Sequence, residues 1–447
     1  MNYDLIIIGG GPGGYELAAD RAARGQRVVL VERDSLGGTC LNRGCIPTKC
    51  LCASAETIHT VRDAEAFGVN IPTFTIDYSR AAERMHAVVG NLRAGIEQLL
   101  RGVDVINAEA RLSAGDNEEC PINVHAGEKV LTARQIIIAT GSHPASLPIP
   151  GAELAIDSDR VLALDTLPDS AAIIGGGVIG MEFASILNAF GVDVTVIEYC
   201  KEILPPFDSD IAKRLRTILQ RRGIKIVTSA AVSAITGEPG KLRVTYTGRK
   251  GEESTEASAA VMAVGRRPTL PPGCEEVGIQ LTERGYIKVD SAMRTSVPGV
   301  YAAGDVNGLC MLAHAAAAQA RVAAGEEVDL SLVPSAVFTL PETAMVGATE
   351  DALKASQKQY AVAKSMFGAN GKALAMGKGE GLVKVLYDPS TRKILGVHVL
   401  GPHASDIVAE STALIYAGVT VDDVAVRLIH GHPTLSEALS AACNAAK

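Results

Sequence analysis

The stretch 4-DLIIIGGGPGGYELAADRAARGQRVVLVE-32 decides the fold, because it recurs as 171-AAIIGGGVIGMEFASILNAFGVDVTVIE-198. Each copy runs from an apolar strand into a Gly-rich turn, through a helix, and into a second strand that ends in a glutamate. The glycines are Gly9, Gly11 and Gly14 in the first copy, and Gly175, Gly177 and Gly180 in the second. In both copies 18 positions separate the last glycine from the acid, Glu32 or Glu198. This is the dinucleotide fingerprint of a βαβ unit. The first glycine permits the tight turn, the second lets the backbone approach a pyrophosphate, and the third lets helix pack on strand. The helix N-terminus offers free N–H groups and a partial positive charge to phosphate. The glutamate stands where it accepts from ribose hydroxyls. One such turn also arises from packing alone, but two in the same context point to two nucleotides. That is one more than a simple dehydrogenase needs. A tightly held flavin and a diffusing nicotinamide are therefore expected.

Further strands fit the same frame. The segments 136-IIIATGS-142 and 300-VYAAGD-305 read as strands that end in small residues, with Asp305 at a strand end facing a ribityl hydroxyl. Between them, 261-VMAVGRRP-268 reads as a strand and turn. After about residue 333 the pattern changes. Strands 382-LVKVLYD-388 and 394-ILGVHVLG-401, joined by the turn 389-PSTR-392, precede helices expected at 404–416 and 421–428. The expected fold class is α/β, with two Rossmann-like dinucleotide-binding domains and a separate α+β unit.

The 447 residues are 47% hydrophobic and 21% charged, a globular balance with room for about three domains. A formal net charge of −8, with no basic block, gives no reason to expect nucleic acid or an anionic membrane surface as a partner. No uncharged apolar run approaches the roughly 18 residues of a membrane span. Met1 leads almost at once into an apolar strand, with no basic or cleavable leader, so a cytoplasmic location is expected. Nine cysteines, unevenly spread, do not suggest a secreted disulfide framework. Cys120, Cys200, Cys274 and Cys310 are expected to be small buried apolar residues.

Directly after the first fingerprint comes 37-GGTCLNRGCIPTK-49. A disulfide that persists in a reducing compartment is usually catalytic or redox-sensing. Cys40 and Cys45 therefore read as a dithiol that passes two electrons to a cofactor ring; a buried structural pair is the plainer alternative. Pro47 suits the first turn of a helix, and a helix N-terminus lowers a thiol's pKa. Five residues of ideal helix rise about 7.5 Å, beyond the roughly 7 Å that a disulfide tolerates between Cα atoms. A bridge thus requires a distorted first turn, which Gly44 and the Gly37-Gly38 pair make easier. No metal is expected, because Cys50 and Cys52, the spare ligand candidates, fall on different helix faces. In 430-HGHPTLSE-437, His432 and Glu437 can form a dyad, the carboxylate orienting the imidazole and stabilising its cation. Thiol chemistry needs a base, and this is the best candidate in the chain.

GGTCLNRGCIPTK, the paired fingerprints, 300-VYAAGD-305, 341-PETAMVG-347 and HGHPTLSE follow the order seen in the flavoprotein pyridine nucleotide–disulfide oxidoreductases. The resemblance covers nearly the whole chain. Within that family the chain is most similar to the branch that oxidises dihydrolipoyl groups in 2-oxoacid dehydrogenase and glycine-cleavage systems. The resemblance implies FAD held by Gly9, Gly11, Gly14, Glu32, Lys49, Gly141, Asp305 and Ala313. It implies NAD held by Gly175, Gly177, Gly180, Glu198 and Gly265. Cys45 would lie under the flavin as the charge-transfer thiolate, and Cys40 would meet the substrate. His432 of the partner subunit would be the base, with Glu437 orienting it, and Lys49 and Glu182 match an ion pair beside the flavin ring.

The resemblance further implies a homodimer and a lipoyl-bearing partner on a separate chain. The implied domains are an FAD-binding part at 1–148, an NAD-binding domain at 149–266, a segment completing the FAD region at 267–332, and a dimerisation domain at 333–447. Some positions depart from the family: Thr48 where Ser is commoner, Gly431 for Ala or Pro, and the extra thiols Cys50 and Cys52. Cys443 is single where mercuric reductases carry a vicinal pair. Glu198 favours NAD over NADP, since a carboxylate repels a 2′-phosphate. The alternatives are an NAD(P)H-dependent reductase acting on glutathione, thioredoxin or mercuric ion, and a redox-sensing flavoprotein without turnover.

Overall fold

The computed structural model describes residues 2–117 and 120–446. Both fingerprints fold as parallel βαβ units. Strand Tyr3–Ile8 pairs with Val28–Glu32 across helix Pro12–Ala23. Ser170–Ile174, Val178–Ala189 and Asp193–Glu198 repeat the arrangement. The helix of the second unit begins at Val178, directly after the glycine turn. Leu5 to Ile8 and Val28 to Val31 are all buried, as befits parallel strands covered on both faces. The first unit grows into a five-stranded sheet ordered Val300–Ala302, Ala133–Ile138, Tyr3–Ile8, Val28–Glu32 and Asp104–Asn107. The second forms a four-stranded sheet ordered Lys225–Thr228, Asp193–Glu198, Ser170–Ile174 and Ala259–Met262.

The duplication reaches beyond the fingerprints. Each unit carries a three-stranded antiparallel meander before its returning strand. In the second, Leu242, Val244 and Tyr246 are buried at alternate positions of strand Lys241–Gly248, the period a one-sided sheet demands. Just past each returning strand lies a short strand, Ser142–Pro144 or Arg266–Pro268, and these two pair with each other. They link the two units side by side.

A third sheet is antiparallel and five-stranded, ordered Ser335–Val337, Glu342–Gly347, Ile394–Gly401, Leu382–Tyr387 and Ala361–Met366. Ile407 and Val408 of helix Ala404–Tyr416 share its core with Val397 and Val399. The helix expected over 421–428 is found there, π-helical over Asp423–Arg427 and held at its start by the Thr420 hydroxyl donating to Asp423 at 2.6 Å. A buried charge knot ties this sheet to the second nucleotide unit. Lys384 is fully buried and donates to Asp208 at 2.9 and 3.0 Å and to Asp210 at 3.0 Å. Asp208, equally buried, caps helix Ser209–Arg221.

Candidate active site between the two nucleotide-binding units

A single cleft of about 1300 Å³ runs between the two units and is lined by both fingerprints. Gly9, Gly11, Glu32, Gly141, Asp305 and Ala313 line it on one side, and Gly175, Gly177, Glu198 and Gly265 on the other. Cys40, Cys45, Lys49 and Glu182 also face it. Gly14 and Gly180 do not. They lie beneath the turns, where a Cβ would stand 1.9 Å from the Gly9 carbonyl oxygen and 2.0 Å from that of Gly175. That is the packing role the third glycine is expected to have.

Among the helices that begin at this cleft, those starting at Pro12, Val178 and Ala313 have no side chain capping their first N–H groups, whereas Asp157 caps the one starting at Ser158. Away from the cleft, helices starting at Tyr78 and Ser209 are capped by Asp77 and Asp208. The uncapped helices thus keep their N–H donors for an anion. Glu32 and Glu198 have a second part that the sequence does not disclose. Glu32 accepts from the Gly10 N–H at 2.6 Å and the Asp34 N–H at 2.8 Å. Glu198 accepts from the Gly176 N–H at 2.5 Å and the Cys200 N–H at 2.6 Å. Each acid therefore shapes the Gly-rich turn beside it.

Asp305 is not at a strand end. The strand stops at Ala302, and Asp305 lies in the 3-10 turn Gly304–Asn307. Its carboxylate accepts from the Ser142 hydroxyl at 2.5 Å, and Arg266 donates to the same hydroxyl at 2.7 Å. Ser142 and Arg266 come from the two linking strands, so this triad forms only when both units are docked. Among the other cysteines, Cys274 is buried as expected, Cys200 and Cys310 are only half-buried, and the Cys120 side chain lies outside the described residues.

The expected distortion at the thiols is a complete break. Helix Gly38–Arg43 ends at Gly44, and helix Cys45–Arg62 begins directly after it. Gly44 turns back on the first helix so closely that a Cβ there would lie 2.8 Å from the Thr39 carbonyl oxygen and 3.3 Å from the Cys40 Cα. This fold-back sets the two thiols near enough for each to shift the other's ionisation. The Cys40 thiol is pushed up by its hydrogen bond to Cys45 and by burial. Cys45 is lowered to about 7 by the hydrogen bond from Cys40 and by the Lys49 ammonium one turn along its helix. Of the pair, Cys45 is thus the more readily ionised.

Lys49 Nζ donates to both oxygens of buried Glu182, at 2.9 and 3.0 Å. Glu182 also accepts from the Phe338 N–H at 2.9 Å, and the Phe338 ring lies 4.6 Å from the Lys49 ammonium. No motif reading singles out Phe338. Its signal is position only, three residues ahead of 341-PETAMVG-347. Among the described residues no group of three or more His, Cys, Asp or Glu side chains is arranged to hold a metal ion.

His432 and Glu437 do pair, with Nδ1 2.9 Å from Oε1, but not in the cleft. The Thr434 N–H donates to Glu437 at 2.7 Å, and with His432 it holds the carboxyl below its ordinary pKa. His432 is 81% exposed. Nearby Val426 and Ile429 are also strongly exposed, a patch of apolar surface on a single chain. A second pair, His430 with Glu410 at 2.8 Å, stands beside it and is not singled out by the sequence reading.

With this geometry the comparisons agree. Residues 3–320 match the pyridine nucleotide-disulphide oxidoreductase family, and residues 333–443 match its dimerisation domain. A dihydrolipoyl dehydrogenase of Chlamydia pneumoniae is 37% identical over 445 residues, covering 98% of this chain and 95% of the relative. One from Bacillus subtilis (strain 168) is 39% identical over 468 residues, covering 99% and 98%. Among solved structures, the HOCl-induced flavoprotein disulfide reductase RclA from Escherichia coli superposes with a TM-score of 0.86 at 30% identity, covering 99% of each chain. No helix among the described residues is long and apolar enough to cross a membrane. The paired nucleotide-binding units, the thiols between them and the matches along almost the entire chain agree, and the protein belongs to the pyridine nucleotide-disulphide oxidoreductase family.

Proposed function

We propose that the protein oxidises protein-bound dihydrolipoyl groups to lipoyl, with FAD as its resident carrier and NAD as the acceptor. One observation carries the reading: a dithiol with one readily ionised member, beside a lysine paired to a buried glutamate, opens into a cleft lined by two dinucleotide fingerprints. The dihydrolipoyl dehydrogenase relatives support the substrate class. The cleft fits the two cofactors. Its glycine turns leave room where a Cβ would intrude, and its uncapped helix starts face the space that phosphates would take. Gly9, Gly11, Gly141, Asp305 and Ala313 would hold FAD with Glu32 and Lys49, while Gly14 packs beneath the turn. Gly175, Gly177, Glu198 and Gly265 would hold NAD, with Gly180 in the matching place.

In the thiol half-reaction, one substrate thiol gives its proton to His432 of the partner subunit, held by Glu437, and its sulfur attacks Cys40 of a Cys40–Cys45 disulfide. A mixed disulfide forms, and the electron pair leaves on Cys45 as thiolate. The second substrate thiol attacks the first sulfur, and its proton passes to Cys40 as that sulfur leaves. The lipoyl disulfide closes, and Cys40 departs as a thiol. Lys49 stabilises the charge on the released Cys45. Bound FAD supplies the two-electron chemistry that links the dithiol to the nicotinamide. The exposed dyad and its apolar surroundings support a homodimer in which each chain completes its partner's site. We place the enzyme in the cytoplasm, where a lipoyl-bearing protein would be its partner.

Purified protein should be yellow and should reduce NAD with dihydrolipoamide, with NADP far poorer. A preparation that takes up no FAD would end this reading. The structural likeness to a flavoprotein disulfide reductase favours one competitor, a nicotinamide-driven reductase working in the opposite direction. Equal use of NAD and NADP, with slow dihydrolipoamide oxidation, would select it. A redox sensor without turnover would show bound flavin and no steady-state rate.

A further inference from the structure

Cys52 and Phe338 stand beside the Lys49–Glu182 pair but take no part in the thiol exchange. Cys45, Lys49 and Cys52 follow one another on helix Cys45–Arg62 at spacings of four and three, so they share one face. The Cys52 thiol donates to the Phe338 carbonyl at 3.3 Å. Burial pushes that thiol up to about 12, which keeps it a neutral donor. The Phe338 N–H donates to Glu182, and the Phe338 ring faces Lys49. Two residues on, the Leu340 N–H donates to the Ser185 hydroxyl at 3.1 Å, and its carbonyl accepts from Arg222 at 2.7 Å. The strap 338–340, leading out of strand Ser335–Val337, is thus stitched to three helices that belong to the nucleotide-binding units.

We propose that Phe338 is a positioning residue for the thiol half-reaction: keyed by the Cys52 thiol, its ring and peptide hold the Lys49–Glu182 pair so that the ammonium, rather than the carboxylate, dominates at Cys45. The inference rests on the reading of Cys45 as the flavin-facing thiolate. Cys45 is faced by Cys40 as a donor, by Lys49 as an attracting charge and by Glu182 as a repelling one. The net effect depends on which charge is held closer. The Phe338 ring, 4.6 Å from the ammonium, attracts it and covers one side of a side chain that is otherwise about a third exposed. The Phe338 N–H draws on the carboxylate's charge through a charge-assisted bond. A loosened strap frees Lys49 to swing and leaves the repulsion less opposed.

The test is a pH titration of the long-wavelength thiolate–flavin absorbance in the two-electron-reduced holoenzyme. It compares wild type, Phe338→Leu, Cys52→Ala and Cys52→Ser. The midpoint should rise by about half a pH unit or more in Phe338→Leu and Cys52→Ala. Cys52→Ser, whose hydroxyl still donates, should stay near wild type. FAD content should not change, which separates positioning from general loosening of the fold. Should Phe338→Leu fail to retain FAD, the Cys52 pair decides alone. Midpoints that do not move in Cys52→Ala, or that move equally in Cys52→Ala and Cys52→Ser, overturn the proposal. A wild-type enzyme with no such band overturns the assignment of Cys45 itself, and the inference with it.

Discussion

The two glycine turns are near copies, yet what lies over them differs. In each, the third glycine presses on the carbonyl of the first, and a glutamate accepts from the N–H of the glycine between. Above the first turn lies the thiol-bearing segment. Gly38 packs so tightly there that a Cβ on it would stand 2.8 Å from the Gly11 Cα. The second turn is also met by chain, the Leu204 N–H donating to the Gly176 carbonyl at 2.8 Å as the Gly37 N–H does to that of Gly10, but a Cβ on Gly177 meets no atom within 4 Å. The first turn is covered at its second fingerprint glycine and the second turn is open there. The same local motif thus suits a ligand that stays and a ligand that leaves, and the next segment of chain makes the difference.

The strongest way to break that comparison is to injure both turns alike. Gly14→Ala and Gly180→Ala create almost the same collision with backbone, each worth more than about 4 kcal/mol if the turn cannot shift. Gly14→Ala should yield colourless, inactive protein. Gly180→Ala should remain yellow and lose only its reaction with NAD; a colourless Gly180→Ala protein would show that the two halves do not stand apart. Next in size is Cys45→Ser. It should abolish dihydrolipoamide oxidation and the long-wavelength band, while NADH still reduces an artificial dye through the flavin. Cys40→Ser should also stop turnover but keep a thiolate beside the flavin. In the wild type that thiolate protonates as pH falls through about 7, so the reactivity of the reduced pair should decline below that point.

His432→Gln should slow the thiol half-reaction by roughly 10²–10⁴-fold, the usual cost of losing a general base. The nicotinamide half-reaction should be untouched. A heterodimer of Cys40→Ser and His432→Gln chains sharpens the point. If sites are shared, both lesions fall in one site and about half of the activity survives; sites made within one chain would leave almost none. Smallest should be Glu198→Gln. It should lower the preference for NAD over NADP by roughly tenfold, on the scale of one weakened charged hydrogen bond. Binding of flavin should not respond.

Much of this was legible in the residues. Two apolar–glycine–acid patterns at matching spacing define both βαβ units, because parallel strands and phosphate-binding turns tolerate few residue types. The meanders were not legible. Their strands, such as Lys241–Gly248, are half exposed, and only alternate side chains carry a signal. At the thiols, the need for distortion followed from helix geometry, but the complete break at Gly44 depends on a fold-back that spacing does not reveal. Asp305 was misplaced by a few residues because strand pairing stops at Ala302, before the small residues do. Phe338 escaped notice because an aromatic near a strand end is ordinary until its neighbours in space are known.

The charge knot at Lys384 bears on how the chain is made. Asp208 leaves the ribosome 176 residues before the lysine it needs. Left buried without that partner, its carboxylate would cost roughly 3–5 kcal/mol. The growing chain must therefore keep the start of helix Ser209–Arg221 hydrated and unsettled until the third sheet has been synthesised. The nucleotide-binding part does not finish first and wait; its last piece closes only when the far end of the molecule arrives. Stalled chains ending before residue 384 should exchange amide hydrogens quickly at Asp210 and Ile211, where full-length protein is protected.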